Sequence, residues 1–414
     1  MKVLIFSWEY PPHIDGGLGQ HVKDLTPALL EADPNLVVHI VTPTFAGETT
    51  REAVGRLVVH RVRVSAPLED RYFEDVEQAN ASLGQVALEV VEAEGGFDLM
   101  HVHDWPVSFA SFVVQDAYAL QMLSTIHATE RGRYRGLLYS DLSRAIDAAE
   151  RQLVECSQAV ITCSGAMKKE VTDYFGVPGE RVVVIPNGVD ARRFDALRAM
   201  DLSEFRAHYA RPDEKIIFHV GRLVYEKGAD LLVEAAPRVL NRVPEAKFVI
   251  AGRGPLLPTL RQRVDEMYLA DKVLLSGFVS DDDRDRLYVA ADVCVFPSRY
   301  EPFGIVALES MAAGTPVVVS DVGGLGSVVA NGQTGLTSYP GNIDSIAEAI
   351  VRVLRDTDTA ARLAEQALEV VQEHMTWPVI AHQTVASYQD LVERGGKGAV
   401  VLPALANLSA TNPF

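Results

Sequence analysis

Short runs of β-branched and other apolar residues alternate with longer segments of helical periodicity along most of the chain. A short apolar run predicts a buried strand, and an apolar repeat of about 3.6 residues predicts an amphipathic helix. This alternation is typical of a parallel sheet with helices on both faces, and it occurs twice in succession. The pattern therefore predicts an α/β protein with two doubly wound domains.

The first series of predicted strands is KVLIFSW, VVHIVTP, LVVHRV, LMHVH, MLSTIH, AVITCS and VVVIPNG. Helices are expected between these strands, for example over residues 20–30 and 141–156. The strand pattern pauses after Asp190 and restarts with KIIFHVGR, AKFVIAG, KVLLSGF, VCVFPS and PVVVSD. Two separate sheets follow from this interruption.

These patterns predict a first domain over residues 1–195 and a second domain over residues 196–374. A helical pattern over about residues 375–394 is expected to pack back as a terminal helix. Residues 395–414 lose both periodicities and are expected to form a flexible tail.

Composition narrows the function. With 414 residues and 48% hydrophobic residues, the chain is long enough to bury two cores. Its formal net charge of -18 disfavours nucleic acid or an anionic membrane as a partner, and any anionic substrate needs a local cluster of cations. The three cysteines have neither disulfide nor metal-site spacing. Without a signal-peptide pattern or an apolar run that could span a membrane, we expect a soluble, cytoplasmic protein.

A glycine pair follows the first predicted strand in the segment PHIDGGLGQHV. The amides of Gly16 and Gly17 could donate to a phosphate at the start of the next helix, although an ordinary glycine turn remains an alternative. The spacing differs from G-x-G-x-x-G, and the second strand does not end in an acidic residue. A nicotinamide-dependent enzyme is therefore disfavoured.

Two cations follow the first strand of the second domain, in HVGRLVYEKG. Ligands of doubly wound sheets bind beyond the carboxyl ends of the strands, so Arg222 and Lys227 are placed to neutralise a diphosphate. A solvated surface pair is the alternative. In the next loop, IAGRGPL, Gly252 and Gly254 could allow a nucleotide base to approach the backbone.

Two carboxylates, Glu301 and Glu309, have E-x7-E spacing in the segment SRYEPFGIVALESMAAGTPVV. Eight residues of helix advance about 12 Å, whereas an acid and nucleophile pair of a retaining glycosidase needs a separation of about 5 Å. The spacing therefore favours a ligand that lies along the helix start, with one carboxylate at each end. An incidental second glutamate is the alternative.

Three polar residues follow two neighbouring strands of the first domain, in HVHDWP and TIHATERGR. His103, Asp104 and His127 are therefore expected to face the same cleft, although structural histidines remain an alternative. The acidic run Asp281–Asp283 is expected to start a helix, with Ser280 or Asp281 as the N-cap, and no metal site is predicted.

Together these segments resemble the retaining GT-B glycosyltransferases of glycosyltransferase family 4, with features of bacterial glycogen and starch synthases. The resemblance covers about residues 1–392 and depends most on E-x7-E, supported by GRLVYEKG, PNGVD, AGRGPL and the glycine loop. It implies two Rossmann-like domains that face each other across a cleft. It also implies transfer of a glucosyl or other hexosyl group from an ADP- or UDP-sugar to a carbohydrate acceptor, with a glycogen or α-glucan chain expected.

The resemblance implies roles in donor binding for several residues. Arg222 and Lys227 would bind the diphosphate together with the amide of Gly17, and Glu309 would bind the ribose hydroxyls. Retention would follow from substitution on one face of the sugar, in which the leaving phosphate accepts the proton of the acceptor. Neither a metal nor another cofactor is implied.

The transferred sugar and the acceptor would be held by a second set of residues. Glu301 and the backbone from Phe303 through Gly304 to Ile305 would bind hydroxyls of the transferred sugar. His127 would contact the same sugar from the other domain. Asp104 and His103 would lie on the acceptor side.

The chain departs from the glycogen synthases at the glycine loop. Those enzymes carry the pattern K-x-G-G, whereas this chain reads His13-Ile14-Asp15-Gly16-Gly17. A transferase that forms disaccharides or modifies small molecules is therefore an alternative, and a nucleotide-sugar sensor without turnover is another. An epimerase or a pyridoxal-dependent phosphorylase fits less well, and the oligomeric state is left open.

Overall fold

The computed structural model describes residues 1–395, so the predicted tail lies, apart from Gly395, outside the described residues. The described residues divide into two compact units: Met1–Gly188 with residues 377–395, and Val189–Thr376. The first division falls at Gly188, whereas the strand pattern placed it at residue 195. The difference arises because the turn before residue 195 belongs to the second unit, where Phe194 is fully buried with its ring 6.2 Å from that of Tyr288.

The first unit contains an 8-stranded sheet with the order β3-β4-β2-β1-β5-β6-β7-β8. Its neighbouring strands are parallel except for β3, which pairs antiparallel with β4. The strands are β1 (Lys2–Ser7), β2 (Val37–Thr44), β3 (Thr50–Val54), β4 (Leu57–Arg63), β5 (Leu99–His103), β6 (Gln121–Ile126), β7 (Ala159–Thr162) and β8 (Val182–Val184).

The second unit contains a 6-stranded sheet with the order β11-β10-β9-β12-β13-β14, in which all pairs are parallel. The strands are β9 (Lys215–Val220), β10 (Ala246–Ala251), β11 (Val273–Gly277), β12 (Val293–Phe296), β13 (Val317–Ser320) and β14 (Leu336–Ser338). Mixed α/β architecture with two doubly wound sheets is thus confirmed.

Two strands were not predicted from the sequence. All residues of β3 are exposed, so this edge strand has no buried alternation that could identify it. The strand β14 contains only three residues, which is too short to give a periodic signal.

Helices connect the strands in both units. They are α1 (Gly17–Ala32), α2 (Tyr72–Ala93), α3 (Ser108–Tyr118), α4 (Glu130–Arg133), α5 (Asp141–Cys156), α6 (Gly165–Phe175), α7 (Asp195–Arg198), α8 (Ser203–Arg206), α9 (Ala229–Arg242), α10 (Leu257–Glu266), α11 (Asp281–Ala290), α12 (Ile305–Ala312), α13 (Leu325–Val328), α14 (Ile343–Arg355), α15 (Thr357–His374) and α16 (Trp377–Arg394). Within the described residues, no helix combines the length and the apolar character needed to cross a bilayer.

The terminal helix α16 completes the core of the first unit. Its residues Ile380 and Tyr388 are fully buried in a cluster with Ile5 of β1 and Leu29 of α1. The helix covers part of the sheet whose strands β5 and β6 lead to His103 and His127. A truncation before Trp377 would expose this core to water.

The acidic segment at the start of α11 is a helix cap, as predicted. The hydroxyl of Ser280 accepts a hydrogen bond from the amide of Asp283 at 3.1 Å. Acidic residues in the first turn also favour the helix because they face the positive end of its dipole.

Candidate active site

An ion pair joins two loops at the carboxyl edge of the second sheet. Lys227 follows β9, Glu301 follows β12, and the two strands are neighbours in the sheet. The Lys227 Nζ atom donates to Glu301 Oε2 at 2.6 Å, and Glu301 is only 7% exposed. The structure therefore brings together the cation and the carboxylate that the sequence assigned to two separate motifs.

Close packing of the two loops makes this contact possible. The amide of Arg299 donates to the carbonyl oxygen of Glu226 at 2.7 Å. Gly228 has φ of +71°, and a Cβ atom there would lie 2.0 Å from the carbonyl oxygen of Pro297. A side chain at this position would push the loops apart, so glycine is required.

A second ion pair, which the sequence did not indicate, holds the same loops. The guanidinium of Arg299 donates to both oxygens of Asp230 at 2.7 and 2.6 Å. It also lies 4.1 Å from the ring centroid of Tyr225. Bidentate pairing fixes the orientation of Arg299. Arg222, which the sequence analysis singled out together with Lys227 in the loop after β9, is exposed.

The glycines of the loop after β10 are explained by backbone packing. Gly252 and Gly254 have φ of +141° and +155°, and Cβ atoms there would lie 1.9 Å from Gly221 O and 2.4 Å from Leu223 O. These glycines let the loop after β10 pack on the loop after β9. Their presence therefore needs no approaching nucleotide base.

The turn between Glu301 and α12 is held in the same way. Gly304 has φ of +102°, and a Cβ atom there would lie 2.4 Å from Leu325 Cδ2. The amide of Gly324 donates to the carbonyl oxygen of Glu301 at 2.8 Å. This packing fixes the backbone from Phe303 to Ile305, where α12 begins.

Glu309 has partners of its own. Arg193 Nη2 donates to Oε1 at 2.6 Å, and the Tyr288 hydroxyl donates to Oε2 at 2.8 Å. Glu309 is 6% exposed, and Arg193 also forms an ion pair with Asp285 at 3.2 Å. Both carboxylate oxygens are therefore engaged, and a ribose would have to use their remaining lone pairs.

In the first unit, the structure brings His103, Asp104 and His127 together. His103 ends β5, His127 follows the neighbouring strand β6, and His103 Nδ1 lies 3.1 Å from His127 Nε2. Asp104 Oδ1 accepts a hydrogen bond from the amide of His127 at 2.7 Å. Asp104 has φ of +59°, an unfavourable value for a residue with a side chain.

This geometry makes Asp104 a residue that positions the loop carrying His127. Burial raises the pKa of the Asp104 carboxyl to about 7, although the hydrogen bond from the His127 amide opposes the shift. The carboxyl group thus acts on the backbone of its neighbour, a function that its position in the sequence did not indicate.

A third histidine, His21 of α1, was missed by the sequence analysis. Its ring centroid lies 4.8 Å from that of His127 and 5.5 Å from that of His103, and its Nδ1 lies 2.6 Å from Asn187 Oδ1. Burial lowers the pKa of His21 to about 4 and the pKa values of His103 and His127 well below the ordinary range. All three imidazoles are therefore neutral at pH 7.

The sequence contains a signal for His21, because it lies about one helical turn beyond Gly17. The first turn of this helix faces the carboxyl edge of the sheet. His103, the last residue of β5, and His127, the residue after β6, lie at the same edge. The turn alone did not distinguish His21 from a core residue.

The glycine loop before α1 contacts a carboxylate. Glu9 Oε2 accepts hydrogen bonds from the amides of Asp15 and Gly16, each at 3.0 Å. A Cβ atom at Gly16 would have nothing within 4 Å, whereas one at Gly19 would lie 2.6 Å from Glu9 Oε2. Of Gly16 and Gly19, the position that excludes a side chain is therefore Gly19, and the group that approaches it is Glu9.

The fold and these residues define a glycosyltransferase of the GT-B type. The sequence model of the family "Glycosyltransferase Family 4" matches residues 15–193. The model of the family "Glycosyl transferases group 1" matches residues 202–370. A glycogen synthase of Mycobacterium tuberculosis is 35% identical over 400 residues, covering 94% of this chain and 94% of the relative. The chain therefore belongs to glycosyltransferase family 4.

Two further comparisons agree with this assignment. An uncharacterized glycosyltransferase of Methanocaldococcus jannaschii is 38% identical over 399 residues, covering 96% of this chain and 100% of the relative. The structure of sucrose-phosphate synthase from Thermosynechococcus elongatus aligns with a TM-score of 0.81 and 26% identity, covering 95% of this chain and 99% of that chain.

Proposed function

We propose that the protein transfers a hexosyl group, with glucosyl expected, from an ADP- or UDP-sugar to a glycogen or α-glucan chain with retention of configuration. The observation that carries this proposal is the contact of 2.6 Å between Lys227 and Glu301 of the E-x7-E motif. A buried carboxylate beside a cation suits a ligand that has both hydroxyl groups and a diphosphate. Similarity to a glycogen synthase supports the glucan acceptor.

Residues of the second unit are assigned to the donor. Arg222 and Lys227 bind the diphosphate, and Glu301 with the amides of residues 303–305 binds hydroxyls of the transferred sugar. The fixed turn before α12 supports this role because its amides need no rearrangement on binding. Glu309 binds the ribose through the lone pairs that Arg193 and Tyr288 leave open.

Residues of the first unit are assigned to the transferred sugar and the acceptor. His127 contacts the sugar, and Asp104 and His103 lie on the acceptor side. Asp104 also holds the backbone of His127, and His103 contacts the ring of His127. The amide of Gly17 donates to the diphosphate. The amide of Gly16 already bonds to Glu9, so we assign Gly16 to the shape of the loop.

The proposed reaction is substitution on one face of the sugar. The bond between the anomeric carbon and the phosphate oxygen breaks, the acceptor oxygen bonds to the same face, and the departing phosphate takes the acceptor proton. Lys227 holds the carboxylate of Glu301 in an ion pair, which favours binding over nucleophilic attack by this group. The reaction uses no metal or other cofactor, and it fits a cytoplasmic enzyme.

The experiment is an assay of nucleotide release with UDP-glucose or ADP-glucose, each with and without malto-oligosaccharides. Mass spectrometry of the products is expected to show extension by one hexose with one of the two donors, and NMR is expected to show an α-linkage. Absence of donor turnover, combined with tight donor binding, would replace the proposal with a sensor function.

A small-molecule acceptor is the second candidate function. The structural similarity to a sucrose-phosphate synthase favours it, because an enzyme of that name forms a phosphorylated disaccharide. The same assay distinguishes the two candidates. Donor turnover that requires a small sugar or sugar phosphate, without extension of malto-oligosaccharides, would support the second.

A further inference from the structure

Three imidazoles of the first unit converge on one point. His21, His103 and His127 each offer one ligand nitrogen, and these three atoms lie within 4.8 Å of one another. They come from α1, from the end of β5 and from the loop after β6. The convergence therefore depends on tertiary structure and was not visible as a spacing motif in the sequence.

The distances are close to those of a metal centre. Bonds of about 2.0–2.1 Å from a tetrahedral metal to imidazole nitrogens place the nitrogens about 3.4 Å apart. His103 Nδ1 and His127 Nε2 are 3.1 Å apart. The third nitrogen needs to move about 1.5 Å at most to reach the same geometry, which side-chain rotation of a histidine can supply.

The surroundings of the three rings also match a metal centre. His21 Nδ1 lies 2.6 Å from Asn187 Oδ1, and because an amide oxygen only accepts hydrogen bonds, this nitrogen carries the proton. The lone pair of His21 is then on Nε2. Outer contacts of this kind fix the orientation of metal-binding histidines.

His103 is fully buried, and its Nδ1 lies 3.1 Å from His127 Nε2. Binding of a metal by Nδ1 requires a lone pair on that nitrogen, so the proton of His103 is then on Nε2. Nε2 has no hydrogen-bond partner among the described residues. His127 is partly exposed, so it lies on the solvent side of the cluster.

We propose that His21, His103 and His127 form a binding site for a divalent transition-metal ion of the Zn²⁺ class. Imidazole nitrogen suits Zn²⁺, Co²⁺ and Ni²⁺, whereas Mg²⁺ prefers oxygen ligands. Three histidines leave a fourth position open for water. Because the metal engages His127, it inhibits the transfer reaction; this inhibition, unlike the binding, rests on the proposed function.

The first test is titration of the metal-free full-length protein with Co²⁺, monitored by visible absorption. One Co²⁺ per chain with the spectrum of a four-coordinate nitrogen site is expected, and excess Mg²⁺ should not displace it. Asn187→Ala should weaken binding about 10- to 100-fold, and His21→Gln and His127→Gln should weaken it more. Unchanged Co²⁺ affinity in His127→Gln would overturn the proposal.

The matched control is His60→Gln. His39 Nδ1 and His60 Nε2 are also 3.1 Å apart in the same unit, and both residues are buried. This second pair lacks a third histidine at the required distance among the described residues. His60→Gln should therefore keep the Co²⁺ spectrum. Loss of the spectrum in this variant would place the ion at the His39 and His60 pair and refute the proposal.

A measurement on the unaltered protein guards against variants that fail to fold. Anomalous diffraction from Co²⁺-loaded crystals should place the ion between His21, His103 and His127. An anomalous peak elsewhere, or an oxygen-only coordination shell in X-ray absorption, would refute the site.

The functional arm uses one equivalent of Zn²⁺ and an EDTA reversal. Transfer by the metal-free protein should stop with Zn²⁺ and return with EDTA. Unchanged turnover with Zn²⁺ bound would refute the inhibition. A metal-free protein that turns over no donor would refute the proposed function, while the Co²⁺ data would still decide the metal site.

Discussion

Lys227 and Glu301 are 74 residues apart in the chain, and their charged groups are 2.6 Å apart in the structure. The contact joins the loops after two adjacent parallel strands, the edge at which doubly wound sheets bind ligands. Glu301 is buried, and Lys227 is its ion-pair partner. The pair therefore prepares a polar site before any substrate binds.

Replacing either member of this pair should lower turnover strongly. We expect Lys227→Ala and Glu301→Gln each to reduce kcat by at least about a hundredfold, because loss of one preorganised polar contact costs about 2.7–4 kcal/mol. The double variant should lose less than the product of the two effects, since each single change already disrupts the same contact. The kcat of all three variants is measured from steady-state rates of nucleotide release.

An exposed ion pair in the same unit provides the control. Arg263 Nε donates to Glu234 Oε1 at 2.5 Å on the surface. Arg263→Ala should leave turnover within about twofold, because exposed pairs contribute little. Wild-type rates in both Lys227→Ala and Glu301→Gln would remove the site from consideration.

The sequence predicted the local parts of this site better than the long-range parts. The E-x7-E spacing and the loop after β9 identified Glu301 and Lys227, because both motifs follow recognisable strands. Arg193 was missed because it contacts Glu309 across 116 residues of chain and has no motif of its own. His21 was missed for the same reason, since its partner Asn187 is 166 residues away.

The glycines show a different limit of sequence interpretation. Gly252 and Gly254 correctly indicated a close approach of some group to the backbone, but the approaching group is the chain itself at Gly221 and Leu223. A glycine in the sequence indicates that some group approaches the backbone closely. It does not indicate whether that group belongs to a ligand or to another loop.

Gly19 and Gly16 should respond differently to alanine. A Cβ atom at Gly19 would lie 2.6 Å from Glu9 Oε2 and 2.8 Å from Glu9 Cβ, so Gly19→Ala should destabilise the fold by about 1–3 kcal/mol. Gly16→Ala should change the free energy of unfolding little, since its φ of -159° suits any residue and nothing lies within 4 Å. Urea denaturation followed by circular dichroism compares the two.

The second change tests whether Glu9 is the cause. Glu9→Gly removes both the Oε2 and the Cβ atoms that a Cβ atom at Gly19 would meet, so the double variant Gly19→Ala/Glu9→Gly should be closer in stability to Glu9→Gly than Gly19→Ala is to wild type. Equal destabilisation by Gly19→Ala in both backgrounds would show that another contact is responsible.

Loss of Arg193 should destabilise the second unit. Arg193→Met leaves the buried carboxylate of Glu309 and the partly buried carboxylate of Asp285 without this cation, and breaking a buried pair from one side costs about 3–5 kcal/mol. The double variant Arg193→Met/Glu309→Gln should recover part of the loss, because it removes one of the two charges. Chemical denaturation measures the free energy of unfolding.

Arg238 provides the matched control for this substitution. It pairs with Asp344 at 2.5 Å, and the two side chains are 48% and 81% exposed. Arg238→Met should cost less than about 1 kcal/mol. A loss in Arg193→Met no larger than this would show that the network around Glu309 does not hold the unit together.

The stability of the second unit should depend on pH through Glu214. Burial opposes ionisation of this carboxyl, but hydrogen bonds from Lys272 at 2.7 Å and from Arg211 at 2.8 Å prevail and lower its pKa from 4.5 to about 2. A pKa that is lower in the folded state stabilises the fold above the unfolded pKa, and this stabilisation is lost as pH falls through the folded pKa. Glu214→Gln should therefore reduce the free energy of unfolding by on the order of 2–3 kcal/mol at pH 7.

The decisive feature is how this difference changes with pH. Between pH 4.5 and about pH 2 the wild type loses the contribution of the ionised Glu214, so its stability should approach that of Glu214→Gln. Urea denaturation at several pH values follows the gap, with Asp344→Asn as an exposed control that should show little difference at any pH. A gap that stays constant from pH 7 down to pH 3 would mean that the contacts of Glu214 act through shape and neutral hydrogen bonds, because an ionised carboxylate held by Lys272 and Arg211 must lose its advantage when protons compete for it.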